Sequence, residues 1–146
     1  MTLADEFDRH LRPGTVSVSG GGAQGGGASA SADILDVDRL GVSLRGLRVT
    51  VPGRTLREAV GALPEAVGRA LGEPLVVTEV APVLGGAVLR SPVDRQDREF
   101  YEVRTDGEGA SVERWRVGEE GRERVPFTLT RKDLGRVVKG LGAGGG

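Results

Sequence analysis

Apolar positions along this chain recur with two different periods. Val60, Leu63, Val67 and Leu71 fall three or four residues apart, and so do Leu134, Val137, Val138 and Leu141. That spacing predicts two amphipathic helices. Between them, 75–81, 86–91, 99–105, 110–117 and 123–129 read as short strands, bounded by Gly and Pro. Each helix starts with a threonine followed three residues later by an acid, in Thr55-Leu56-Arg57-Glu58 and Thr130-Arg131-Lys132-Asp133. A threonine at that place caps the first turn, and the acid reaches back to it. Asp106-Gly107-Glu108-Gly109 and Gly118-Glu119-Glu120-Gly121 supply residues that tolerate positive φ, so the strands connect as tight antiparallel hairpins.

The expected fold class is α+β: an antiparallel meander of about five to seven strands, packed by a kinked helix (55–72) and a C-terminal helix (130–141), with a flexible N-terminal arm. Pro64 inside the first helix predicts a kink, or two short helices with Pro64 opening the second. Pro126 places the last strand at an edge or a bulge, where no ladder N–H is needed. Residues 33–51 form either a hairpin, pivoting near Arg45-Gly46 or Gly41, or one bulged strand. Strand alternation assigns Tyr101, Val103, Trp115, Val117, Val125, Phe127 and Leu129 to the core.

Outside this domain of 33–141, residues 1–32 read as an arm and 142–146 as a disordered Gly tail. Leu3, Phe7 and Leu11 stand at four-residue steps, enough for one short helix with a narrow apolar stripe. The stretch 20–32 has almost nothing to bury and reads as a tether. Two roles follow for the arm: docking on its own domain, or laying Leu3, Phe7 and Leu11 into a groove of a partner protein. Gly20-Gly21-Gly22-Ala23-Gln24-Gly25 fits G-x-G-x-x-G, but no helix opening follows it, so it reads as linker and no cofactor is expected.

Composition narrows the class. The formal net charge is −1, which argues against the broad basic face of a nucleic-acid binder. Lys132 and Lys139 are the only lysines among twenty basic residues, so eighteen are arginine. With abundant Gly, Ala and Val, that excess fits a GC-rich bacterial genome. There is no cysteine, so disulfides and thiolate metal sites are excluded and a reducing compartment fits. The first twenty residues carry acids where a signal peptide needs basic ones, and no apolar run approaches a membrane span. A cytoplasmic bacterial location is expected, with no membrane contact.

Candidate chemistry is sparse. His10, the sole histidine, lies in the arm with nothing in the sequence to orient it, and Asp33, Asp36 and Asp38 lack the spacing of a calcium loop. Glu99, Glu102 and Glu113 read as strand charges facing water. No catalytic, cofactor or metal residue is therefore assigned, and the chain is not expected to be an enzyme. Arg104, Arg114 and Arg116 are expected together on the sheet face opposite Tyr101 and Trp115, where they would grip an acidic partner or be neutralised by Glu102 and Glu113. Arg131, Lys132, Arg136 and Lys139 make the last helix locally basic.

The order helix, antiparallel strands, C-terminal helix resembles the helix-grip ligand-binding domains and the secretion-chaperone-like domains of bacteria. The leading expectation is a noncatalytic protein-binding module, an adaptor or chaperone-like protein using a sheet or helix surface, with another protein as partner and homodimerisation as one arrangement. The alternative is a small hydrophobic-ligand carrier of helix-grip type; an enzyme of unknown class ranks third.

Overall fold

A computed structural model of the chain describes residues 2–20, 27–81 and 86–145. A short helix α1 (Leu3–Arg9) leads into strands β1 (Gly14–Ser19), β2 (Ser29–Val37) and β3 (Val42–Thr50). Helix α2 (Leu56–Leu71) is followed by β4 (Val76–Ala81), β5 (Gly86–Arg90), β6 (Glu99–Thr105) and β7 (Gly109–Gly118). Then come β8 (Gly121–Val125), β9 (Phe127–Leu129) and α3 (Arg131–Leu141). The fold is α+β. All the strands lie in one antiparallel sheet of order β1-β2-β3-β7-β6-β5-β4, with β8 paired to β7 and β9 paired to β3.

The helix starts follow local chemistry. Thr55 Oγ1 accepts from the Glu58 N–H at 3.1 Å, and Glu58 Oε1 accepts from the Thr55 N–H at 3.0 Å. Thr130 Oγ1 likewise accepts from the Asp133 N–H at 3.0 Å. A third box, Thr2 with Asp5, starts α1. α2 runs unbroken through Pro64 rather than dividing in two. Pro64 removes one backbone donor, but Ala59, Leu63 and Val67 are buried on either side of it, and burial of that stripe outweighs one lost hydrogen bond.

Residues 33–51 are a hairpin that turns before Gly41. Asp38 Oδ1 accepts from the N–H groups of Leu40 and Gly41, and a side chain at Gly41 would run into the Leu129 carbonyl. At the other expected pivot, β3 carries a bulge, since Asp33 faces Gly46 while Ile34 faces Leu44. There β3 also changes partner. Leu47–Thr50 pair with β7, whereas Val42–Leu44 pair with β9. β8 and β9 thus enter as one broken strand between diverging β3 and β7, and Pro126 sits at the break between them.

One face of the sheet carries the core. Val16, Ile34, Leu44, Leu47, Val49, Leu89, Val103 and Val112 pack there against Leu63 and Val67 of α2 and Leu134, Val137 and Leu141 of α3. Tyr101 meets Phe127 edge-on, ring centroids 5.5 Å apart. Tyr101, Val103, Phe127 and Leu129 are core residues as expected, and Val125 is buried.

Three expectations are corrected. Residues 1–32 are not all a flexible arm: Phe7 is 1% exposed in the core, Val16 and Val18 are buried in β1, and β2 begins at Ser29. The sequence ASASA is a strand with small residues, since Ala30 and Ala32 point inward and alternate with serines. Residues 21–26, which hold most of the G-x-G-x-x-G match, lie outside the described residues, as does residue 146 of the tail. The tail up to residue 145 docks rather than frays. Arg54 Nη1 donates to the Ala143 carbonyl at 2.8 Å, and Gly144 lies so close to α2 that a Cβ would stand 2.9 Å from the Glu58 carbonyl. Trp115, finally, belongs to the opposite face. The register sets Phe100 against Trp115 and Tyr101 against Arg114, so Trp115 and Val117 point away from the core.

The two helices approach closely at Gly140. A Cβ there would come within 2.9 Å of the Ala66 carbonyl, whereas a Cβ at Gly61 would meet nothing within 4 Å. Gly140→Ala should therefore destabilise by about 1–3 kcal/mol through overpacking. Gly61→Ala should stabilise by about 0.5–1 kcal/mol through helix propensity. Urea denaturation of the two variants checks the opposite signs.

Candidate functional site

A concavity of about 720 Å³ lies between α1 and α3. α1 is held on α3 by burial of Phe7 and by Arg131, whose Nε donates to Asp8 Oδ1 at 3.0 Å and whose Nη2 donates to the Asp8 carbonyl at 3.2 Å. The neighbouring Asp8 raises the Arg131 pKa further. Leu3 and Ala4 of α1, Val138 of α3, and Val49 and Val51 at the end of β3 supply apolar walls. Gly135 lines the groove as well, and a Cβ there would meet nothing within 4 Å.

Its lining carries four cations, Arg131, Lys132, Arg136 and Lys139, against two carboxylates, Asp5 and Asp8. Arg131 is tied to Asp8 and Arg136 to Asp133, but Lys132 and Lys139 have no ion pair among the described residues. The basic run noted in the sequence therefore stands along an apolar groove. Of the two roles open for the arm residues, docking on their own domain is the one present, and only Leu3 of the three lines the groove. Phe7 is buried in the chain's own core, Leu11 packs against that core, and Leu3 becomes a wall of the groove. A shallower depression of about 360 Å³ lies beside Pro64.

The three arginines expected on one face are split between two. Arg104 stands on the outer face, but Arg114 and Arg116 are on the core side, where Arg114 roofs the Tyr101 ring at 4.6 Å. Arg114 Nε donates to Glu99 Oε1 at 2.6 Å and Arg116 Nη2 donates to Glu99 Oε2 at 3.2 Å. Arg114 also lies 3.5 Å from Glu73 and 3.8 Å from Asp97, so it closes the end of the core beside α2. The physical reason for the split is parity: 104 is even, and 114 and 116 follow Tyr101 across the ladder.

On the outer face, Arg104 joins two arginines not singled out from sequence, Arg90 and Arg122, around Glu102. The Glu102 side chain has no exposed surface. Its Oε2 accepts from Arg90 Nε at 2.8 Å and Arg122 Nη1 at 2.7 Å; its Oε1 accepts from Arg104 Nε at 2.8 Å and Arg122 Nη2 at 3.3 Å. Arg122 in turn stacks on Trp115 at 4.2 Å. Glu102 directly faces Glu113 across the ladder, a repulsive pairing that is resolved because Glu113 turns to Arg124 at 2.8 Å. The hairpin at Gly118–Gly121 was the available sequence signal for Arg122, since it returns that residue opposite Val117.

Elsewhere, His10 ends α1 with Nδ1 2.8 Å from the Glu6 carbonyl, and Asp38 serves the β2–β3 turn. Among the described residues, no three His, Cys, Asp or Glu side chains are grouped to hold a metal ion, and no helix is long and apolar enough to cross a membrane. No family model, no curated protein and no solved structure matches the chain.

Glu102 sets a pH dependence. Burial alone would raise its pKa, but hydrogen bonds from Arg122, Arg90 and Arg104 outweigh that and hold it down at about 2, against 4.5 ordinarily. A carboxyl depressed in the folded state stabilises fully above about pH 4.5 and loses that contribution as pH falls toward about 2. Stability measured by denaturant titration should fall through this window in the wild type. Glu102→Gln should lower stability at neutral pH by about 3 kcal/mol, by stranding three cations, and should flatten the acid limb.

Proposed function

We propose that the protein is a noncatalytic binding module, adaptor or chaperone-like in character, whose α1–α3 groove receives a short segment of a partner protein that carries apolar and acidic side chains. The groove carries the reading. Protein recognition sites combine an apolar centre with a polar rim, and short segments dock by inserting a few apolar side chains into a preformed trough. Here Leu3, Val51 and Val138 supply the apolar part, while Lys132 and Lys139 offer charges that no ion pair among the described residues neutralises. Acidic residues flanking the apolar ones would complete both. The expected setting is the bacterial cytoplasm, supported by the missing cysteines and the arginine-rich composition.

A second reading rests on the groove's volume. At about 720 Å³ it falls within the range of small-molecule sites, so an apolar carboxylic acid with its head at the lysines is the alternative occupant.

Gly135 provides the test, since it lines the groove and a Cβ there would meet nothing within 4 Å. Display selection of random peptides against the wild type should enrich sequences that combine Leu, Ile or Phe with Asp or Glu. Gly135→Trp should abolish their binding while leaving the thermal midpoint unchanged or higher. Enriched peptides that bind Gly135→Trp equally well would show that the groove is not the site. Selection of no peptide, with saturable binding of a medium-chain fatty acid that Gly135→Trp blocks, would favour the carrier instead.

A further inference from the structure

The outer face of the sheet holds a second arrangement, remote in sequence from the groove and independent of it. Glu102 brings Arg90, Arg104 and Arg122 together from three strands, β5, β6 and β8. Four hydrogen bonds fill the carboxylate, two at each oxygen, so it has no capacity for further donors. Three guanidiniums against one carboxylate leave a local charge of plus two. Arg90 and Arg104 spend only their Nε–H groups on Glu102. Their Nη groups, on side chains 40% and 54% exposed, make no ion pair or hydrogen bond among the described residues.

We infer that this cluster is an anion receptor for a phosphate monoester dianion. The charge matches, since a phosphoryl group brings close to two negative charges and three acceptor oxygens. The geometry matches as well, because arginine forks suit phosphate oxygens and these forks are already fixed by a buried counter-ion on a rigid sheet. Lysines at the same places would be free to swing, whereas Arg122 is clamped between Glu102 and the Trp115 ring. The other carboxylates near this face do not pair with the cluster: Glu113 is committed to Arg124 and Asp106 to Arg48, and Glu79, which lines a shallow depression together with Arg104, makes no ion pair with it among the described residues. A chain of net charge −1 with one such local excess suits a single phosphoryl group rather than a nucleic-acid backbone.

The test is a titration followed by NMR of the arginine Nε–H and Trp115 indole N–H signals. The probes are inorganic phosphate and a phosphoserine peptide, with the unphosphorylated peptide as control. Saturable shifts of the Arg90, Arg104 and Arg122 signals with either phosphate probe are expected, and none with the control peptide. Tighter binding of the phosphopeptide assigns the phosphoryl group to a protein partner; equal affinity assigns it to the free anion. Arg104→Gln and Arg90→Gln should each weaken binding about tenfold, the loss of one charge-assisted contact, while Arg116→Gln on the other face should not. If either glutamine variant fails to fold, the lysine variant, which keeps the charge and loses the fork, should still weaken binding. Shifts that never saturate in the wild type, or that are equal in the Arg104 and Arg116 variants, would overturn the inference.

Discussion

The short pairing between β3 and β7 governs the rest of this molecule. Those two central strands share only Leu47–Thr50 and Gly109–Val112 before they separate. β3 carries a bulge at Arg45, where it changes partner, and β8 and β9 fill the gap. Pro126 suits the break because a strand changing partners has no ladder bond to make at that point. Once inserted, alternation sends Val125, Phe127 and Leu129 toward the core and Arg122 and Arg124 to the opposite face. The apolar core and the arginine cluster are consequences of the same insertion.

Ion pairing does two different jobs on the two faces. On the core side, Arg114 lies over Tyr101 and is bound by Glu99, so its charge seals the rim of the apolar interior. On the outer side, Glu102 is buried beneath arginines that keep part of their surface exposed. A carboxylate removed from water is tolerated only when its hydrogen-bonding capacity is filled, and here it is filled from three strands at once. Arg54, nearly buried, does a related job for the helices. Its guanidinium donates to the carbonyls of Gly107, Leu141 and Ala143, joining the β6–β7 turn to the end of α3. Burial lowers its pKa, and the nearby Asp106 and Glu58 oppose that. The α1–α3 groove opens over the end of β3.

Much of the architecture was legible because it is written in local chemistry. The threonine caps, the Gly-rich hairpin turns, the strand at 99–105 and the closing helix each depend on residues within a few positions of one another. The basic run on α3 was legible for the same reason. The arm was misread because Ser and Ala carry little hydrophobic signal: β2 begins with ASASA, and its alternation becomes meaningful only when a partner strand covers it. The gathering of Arg104, Arg114 and Arg116 failed on one residue of register, which no local signal in either strand fixes.

The sequence by itself determined the two long helices and their starts, the hairpin turns and the α+β class, because capping, turn formation and periodicity act over a few residues. Tertiary structure alone decided which face each strand shows, that β3 parts from β7, and that Arg90, Arg104 and Arg122 meet at Glu102. It also decided that α1 lies on α3 and leaves a groove beside two lysines that have no ion pair among the described residues. Those outcomes depend on contacts between residues far apart in the chain. Register and docking are set by the burial of the whole apolar face, a property of the assembled sheet and not of any one segment.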